Sequence, residues 1–495
     1  MNRRLISLSL ALLFLTVSLA AQTKKKSDSP TWWNKYQYIT QNGPDAAVGM
    51  TLSLPAGTNV DVSNECGPQS ETYITLDTRS PSTLAAGSNE IFRLPMRGYY
   101  SIDGGNSWGG VDLPLPPAIG TNGIDFGSDP TLAFDSKGSL FYGYIVVHFS
   151  HGNGINGTQL AVAHSIDGGK TYPTVTFFGF EGGSNHFNDK PMITADANPG
   201  SPFQDNVYMA WDAASGGSAG GGVRLARSKN HGASFTITRV DDPRGPGHAI
   251  GAVPFVGPQG NLYVAWNDYA ANTIAFTRSA DGGVTFSRPV VIATKQIPFD
   301  IAIPAELTRG ALVYPACDAD RSESAHRGRL SCSWMDLTAA GTTDIFISHS
   351  DNSGATWSSP QSVGVPSGLA VDRFNQWLSV DPTSGEVTVS FYDTRNDTTG
   401  FRYMTDTYLA RSDNGGGTFT NTRVSTVSSN EHDCGGIYPC TAINYGNQQG
   451  DYEGLVTYGG IAHPVWTDSR FQLNPITGCR GDLAMEEVFT AAVPK

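Results

Sequence analysis

Short apolar runs, not long ones, organise this chain. Five of them end alike: Val207-Tyr-Met-Ala-Trp-Asp212, Leu262-Tyr-Val-Ala-Trp-Asn-Asp268, Leu330-Ser-Cys-Ser-Trp-Met-Asp336, Val387-Thr-Val-Ser-Phe-Tyr-Asp393 and His463-Pro-Val-Trp-Thr-Asp468. Apolar and small residues alternate along each run, which predicts a strand. No long segment carries helical periodicity with caps. Most of these runs precede a second, polar element with the pattern Ser-x-Asp/Asn-x-Gly-x-Ser/Thr-aromatic. Its six copies start at Ser101, Ser165, Ser228, Ser279, Ser350 and Ser412, with spacings of 64, 63, 51, 71 and 62 residues. That period is too long for a small solenoid. It predicts an all-β chain built as a β-propeller of four-stranded blades.

The polar element has a physical logic. The Asp or Asn side chain accepts backbone N–H groups inside a tight turn. The Gly supplies a positive φ that other residues resist. The closing aromatic returns on the next strand and packs between sheets. The motif resembles the Asp-box, or bacterial neuraminidase repeat, of the sialidase superfamily. The resemblance implies a propeller over nearly the whole mature chain, with the boxes on the face opposite the active site. Asp103, Asp167 and Asp281 are therefore expected to be structural.

Each box marks the turn between the third and fourth strands of a blade, and each aromatic-x-Asp run marks a second strand. The run at His463 follows the last box, so a seventh blade without a box is expected. Its third strand is read at Asp482–Phe489. The strand-like stretch Thr58–Ser63 is expected to close the ring as its outer strand, removing an open edge. The blades are then placed at about 71–115, 127–182, 187–242, 247–293, 308–364, 371–427 and 447–492. Sialidases have six blades, and six is the alternative here.

Composition bounds the rest. Gly numbers 57 and only 16% of the 495 residues are charged, as suits many strands joined by turns. Arg3-Arg4, an apolar run from Leu5 to Leu19 and Ala20-Ala21 read as a signal peptide over residues 1–21. Residues 22–57 read as a leader and extension, with Trp32, Trp33, Tyr36 and Tyr38 covering the outside of a blade. Residues 58–495 form the propeller. Export to the periplasm or medium follows, with no membrane span after cleavage. Removing residues 1–21 removes two Arg and no acid, so the net charge moves from −13 to −15. So acidic a chain is a poor candidate for binding nucleic acid or anionic lipid, and no nucleic-acid partner is expected. Six cysteines in an exported chain imply disulfides. Cys317–Cys332, Cys434–Cys440 and Cys66–Cys479 are the pairs expected.

Candidate chemistry lies on the other rim. The second strands end at Asp212, Asp268, Asp336, Asp393 and Asp468, and first strands begin near Asp129, Asp189, Asp372 and Asp451. Either these acids form a site or each caps its own turn. Arg395 and Arg470 follow Asp393 and Asp468 by two residues, and Arg373 follows Asp372. They either clamp a ligand carboxylate or pair with the neighbouring acids.

The sialidase resemblance implies an arginine triad, a Tyr–Glu nucleophile couple and an Asp acid. Phe92-Arg93-Leu-Pro95 is similar to the family's Arg-Ile-Pro motif. Tyr452 and Glu453 are adjacent and face opposite ways on a strand, so Tyr392 or Tyr445 is the alternative nucleophile. The catalytic candidates are thus Asp189, Asp393, Asp451, Tyr392 and Glu453. The substrate-binding candidates are Arg93, Arg373, Arg395, Arg470, Asp212, Asp268 and Asp468.

The resulting expectation is a monomeric exo-glycosidase on anionic glycans or glycoproteins, with no required cofactor. The alternative is a non-catalytic glycan- or protein-binding propeller in which the Asp rim holds Ca2+. A third reading is a lyase or hydrolase of acidic polysaccharides that uses an Asp pair.

Overall fold

A computed structural model of the chain describes residues 31–43, 59–63, 65, 67–119, 124–149, 155–183, 186–213, 220–242, 244, 247–306, 309–364, 370–431, 449–470 and 486–495. Seven antiparallel sheets form the blades of one propeller. Six are continuous in sequence, at residues 69–112, 126–182, 189–239, 249–294, 316–362 and 373–423. The alternating runs are the second strands, buried along nearly their whole length in blades 3 to 7.

The seventh blade is composite. Gly454–Tyr458, Ile461–Asp468 and Glu487–Thr490 supply three strands, and Val60–Asp61 adds the outer one. Val60 lies opposite Thr490 and Asp61 opposite Phe489. The ladder continues through Val62 N to Val488 O at 2.7 Å. Ser63 Oγ locks the seam by donating to Glu487 Oε2 at 2.6 Å and accepting from Val488 N at 3.0 Å. Seven blades closed by the N-terminal strand is thus the architecture, and the six-bladed alternative is set aside.

Two features depart from expectation. Thr31–Asn42 is a helix. It spans blades 1 and 2, with Tyr36 stacked on Phe149 at 4.0 Å and Tyr38 on Phe92 at 3.8 Å. Gly43 ends it at φ +75°, its N–H returning to Ile39 O at 2.9 Å, a left-handed cap. One helix of twelve residues offers too few turns for its periodicity to stand out among strands. Second, blade 5 begins at Ala316, not near 308. Before it comes a strap, residues 299–315, whose Asp300–Ile301 and Ala311–Leu312 pair as a small separate sheet.

Cys317 and Cys332 are directly opposed in blade 5 and form a disulfide. Cys66, Cys434, Cys440 and Cys479, Tyr445 and residues 1–21 lie outside the described residues. Among the described residues no helix is long and apolar enough to cross a membrane.

Candidate functional site

Strand register separates two faces. Asp189 pairs with Asp212, Ala249 with Asp268 and Arg373 with Asp393, so first strands start where second strands end. The six polar turns lie at the opposite ends. In the first, Ser101 Oγ accepts Gly105 N at 2.9 Å, while Asp103 accepts Ser107 N at 3.0 Å and Ser107 Oγ at 2.6 Å. Asp167 and Asp281 repeat this with Thr171 and Thr285. Burial opposes ionisation of Asp103, but the hydrogen bonds from Ser107 and Ser101 outweigh it and hold the carboxyl below the usual range. The closing aromatics pack on the preceding blade: Phe235 on Phe178 at 4.4 Å and Trp357 on Phe276 at 5.2 Å.

The mouth at the other face is built by a repeated bulge. The first strands of blades 1, 2, 3, 4 and 6 each slip register at one position. The residue there takes a positive φ: Glu71 (55°), Asp129 (59°), Lys190 (50°), Gly251 (70°) and Asn375 (47°). Four of the five are not glycine, and such strain persists only where surrounding structure enforces it. Gly251 has a steric reason, since a Cβ there would sit 2.3 Å from Tyr314.

The bulges aim side chains at the axis. Lys190 starts on blade 3, yet its amine lies 2.8 Å from the Tyr452 ring centre on blade 7, 4.7 Å from Tyr314 and 6.0 Å from Trp377. It is 2% exposed and makes no hydrogen bond. Burial brings its amine down to about 7, against the pull of Glu71, Asp451, Asp129 and Asp189. Tyr452 ties the ring across the axis by donating to Pro130 O at 3.0 Å. Asn89 holds two members, donating to Glu71 and accepting Asp129 N at 2.8 Å.

Carboxyls crowd this ring. Asp189 lies beside Asp129, whose charge is the largest acidic influence on it. Burial, then the charges of Asp129, Asp212 and Asp451, hold the Asp189 carboxyl well above the usual range. Asp189 keeps partial solvent contact. Asp212 accepts Gly251 N at 2.6 Å, and burial pushes it up to about 8. Asp451 accepts Arg309 Nε at 2.6 Å and Nη2 at 2.5 Å, with Tyr314 Oη at 3.3 Å. Behind the ring a channel of about 480 Å³ runs between the first strands of all seven blades.

Of the sequence candidates, the mouth gathers Asp129, Asp189, Asp212 and Asp451. The others are engaged elsewhere. Arg373 and Arg395 both grip the fully buried Asp393, at 2.7 and 2.5 Å. Arg373 also holds Asp344 at 2.8 Å, and Arg395 lies over the Tyr408 ring. Arg470 folds back on Asp468 at 2.7 Å and covers Phe489. Arg93 is buried between Glu65 and Asp112. Asp268 caps Ala270 and Ala271 and lines a groove of about 1080 Å³ between blades 3 and 4, away from the axis. An Arg two residues after an Asp reaches its own acid before any ligand. The expected arginine triad is therefore not assembled among the described residues.

Tyr392 and Glu453 do meet, hydroxyl to carboxyl, from neighbouring blades. Both are buried, however, and the cavity beside them measures about 10 Å³. Tyr392 Oη also bonds the Thr467 backbone at 2.8 and 3.0 Å. The couple is a seam between blades 6 and 7 with no room for a sugar. Glu71, Lys190, Arg309 and Tyr314 join the site without having been singled out by sequence. Among the described residues no three His, Cys, Asp or Glu side chains are placed to hold a metal ion.

These features define a seven-bladed β-propeller with a carboxyl-rich axial mouth. No known family pattern and no curated protein matches the chain. Solved structures of similar fold include sialidases, as the repeats implied. The intramolecular trans-sialidase from Ruminococcus gnavus, in complex with oseltamivir carboxylate, has a TM-score of 0.45 and 14% identity over 65% of this chain and 89% of that one. The leech intramolecular trans-sialidase gives 0.46 and 13%, over 72% and 68%. The Penicillium chrysogenum α-L-arabinanase complexed with arabinobiose gives 0.36 and 13%, over 60% and 92%. Likeness at this level says nothing of chemistry.

Proposed function

We propose that the protein is an exported, glycan-directed propeller of hydrolase type, working at the axial mouth with Asp189 as proton donor. The observation that carries this reading is the gathering of Asp189 with Asp129, Asp212 and Asp451 at the bulged strand ends, where burial and then those charges hold the Asp189 carboxyl well above the usual range. A carboxyl that keeps its proton near neutral pH suits protonation of a leaving glycosidic oxygen. The Asp451 carboxylate, fixed by Arg309, faces positive charge developing on the sugar ring.

The charge of the mouth argues for the substrate class. Among the described residues, with Asp189 and Asp212 held above the usual range, Glu71, Asp129 and Asp451 remain against Arg309 and a Lys190 amine brought down to about 7. An anionic glycan would meet repulsion there, so the glycan is neutral or bears an amino group.

Fluorogenic neutral, amino and sialic glycosides test this. Cleavage of a neutral or amino glycoside, falling ~100-fold or more in Asp189→Asn, is expected. Sialoside cleavage that survives Asp189→Asn would overturn it. The second reading is a non-catalytic propeller that binds a glycan or protein through the same mouth. It is favoured by the sealed Tyr392–Glu453 couple and expects saturable binding without turnover. Calcium at the rim belongs to that reading, under which chelation lowers Tm.

A further inference from the structure

One of the two basic side chains at the mouth does not come from a blade. Arg309 belongs to the strap between blades 4 and 5 and reaches blade 7, where two of its nitrogens meet the two Asp451 oxygens. Its Nη2 also lies 3.9 Å from Glu71 of blade 1. Two-point contact to a carboxylate is how a guanidinium is recognised as a ligand. Here the acids sit on the rigid ring and the cation sits on an inserted loop.

We propose that the Asp451–Glu71 pocket is a receptor for a ligand's cationic group, an ammonium or a guanidinium, and that Arg309 fills it in cis. The ligand is an amino-bearing sugar, a choice that rests on the glycan reading above; the cation pocket itself does not.

Two further observations point the same way. The Lys190 amine, 2% exposed and without a hydrogen bond, is aimed into the same ring. The ring is thus built to draw cations from separate segments across the axis. The docked strap also carries a strained passenger. Glu306 is fully buried beside Glu431, and burial first, then the Glu431 charge, raise its carboxyl well above the usual range against the Gln449 backbone and the Arg309 charge. A buried acid so poorly satisfied disfavours the docked strap, while the Arg309–Asp451 bond holds it down. A ligand that brings its own cation takes over that bond and lets Glu306 return to water. The strap is anchored at its ends, where Asn267 Nδ2 donates to Pro298 O at 3.1 Å and Val313 O at 2.9 Å.

The test is thermal unfolding of Arg309→Ala with methylguanidinium or glucosamine. Sodium chloride and N-acetylglucosamine at matched ionic strength are the controls. Either cation is expected to raise Tm of the variant by ~2 °C or more at millimolar concentration, and to leave the wild type almost unmoved. No rise with either cation, or an equal rise with N-acetylglucosamine, overturns the proposal. Should Arg309→Ala fail to fold, hydrogen exchange on the wild type decides. The Gly310 amide, which bonds Glu306 O at 2.9 Å, is expected to exchange ~10-fold faster with saturating methylguanidinium while the anchored Val313 amide does not, and unchanged exchange at Gly310 overturns it. Neither readout needs hydrolysis, so failure of the catalytic reading leaves this result interpretable.

Discussion

The two faces of this propeller use the same residue in opposite ways. On the box face, Asp103 is met by Ser107 N–H, Ser107 Oγ–H and Ser101 Oγ–H within its own turn. These donors outweigh burial, and the carboxyl is held below the usual range. On the mouth face, burial first and then the charges of Asp129, Asp212 and Asp451 hold Asp189 above it, against a single backbone donor, Lys190 N at 2.9 Å. The chain can build both because a tight turn presents several donors to one carboxylate, whereas a ring of bulged strands turns side chains toward a shared axis. Local satisfaction makes an Asp a staple. Burial and crowding with one donor raise its pKa instead.

The largest expected effect that would break this contrast is at the mouth. Arg309→Ala leaves Asp451 buried without its bidentate partner and should cost about 3–5 kcal/mol in urea unfolding. Removing Arg329, which pairs with the solvent-facing Asp351 at 2.7 and 2.8 Å on the box face, should cost less than about 1 kcal/mol. Equal losses would erase the distinction.

The pH dependence sharpens it. Asp212 has its folded pKa raised to about 8. Its contribution is complete below the unfolded value of about 4 and is lost as pH rises through the folded value. Asp212→Asn should therefore flatten the alkaline loss of stability. Asp103 has the opposite sign: its contribution is present above the unfolded value and is lost as pH falls through the depressed one. Asp103→Asn should flatten only the acid limb. Guanidinium-free denaturation across pH 3–9 (about 1 pH unit steps suffice, given shifts of this size) reads both slopes.

Smaller effects follow. Glu306 is raised, like Asp212. Glu306→Gln should be near neutral in acid and raise stability at alkaline pH by ~1 kcal/mol. Asp103→Ala should cost ~1 kcal/mol through lost turn hydrogen bonds.

The architecture was largely legible in the sequence because its cues are local. The alternating runs became second strands, the polar repeats became the turns after third strands, and the missing seventh repeat pointed to closure by Val60–Asp61. The site was legible only where it coincides with strand ends, as at Asp189, Asp212 and Asp451. Arg373, Arg395 and Arg470 misled because a spacing of one or two residues brings acid and base together without a ligand. Glu71 and Lys190 were hidden by the bulge, which changes where a residue points without changing the strand pattern. The dipeptides Asp129-Pro130 and Lys190-Pro191 carried a signal, since a Pro after the bulged residue forgoes an N–H the ladder does not use. Arg309 left none: it lies in an aperiodic insertion and meets Asp451 only through the ring's closure, 142 residues away in sequence. Tyr392 and Glu453 meet across a blade boundary, which no local pattern records.

The central claim is that the mouth keeps a proton on Asp189 at neutral pH. Infrared difference spectroscopy of wild type minus Asp189→Asn at pH 7 tests it most directly. The expected result is a protonated-carboxyl C=O band in the wild type that the variant lacks and that Asp129→Asn shifts. A difference spectrum showing only ionised carboxylate at pH 7 would contradict the account.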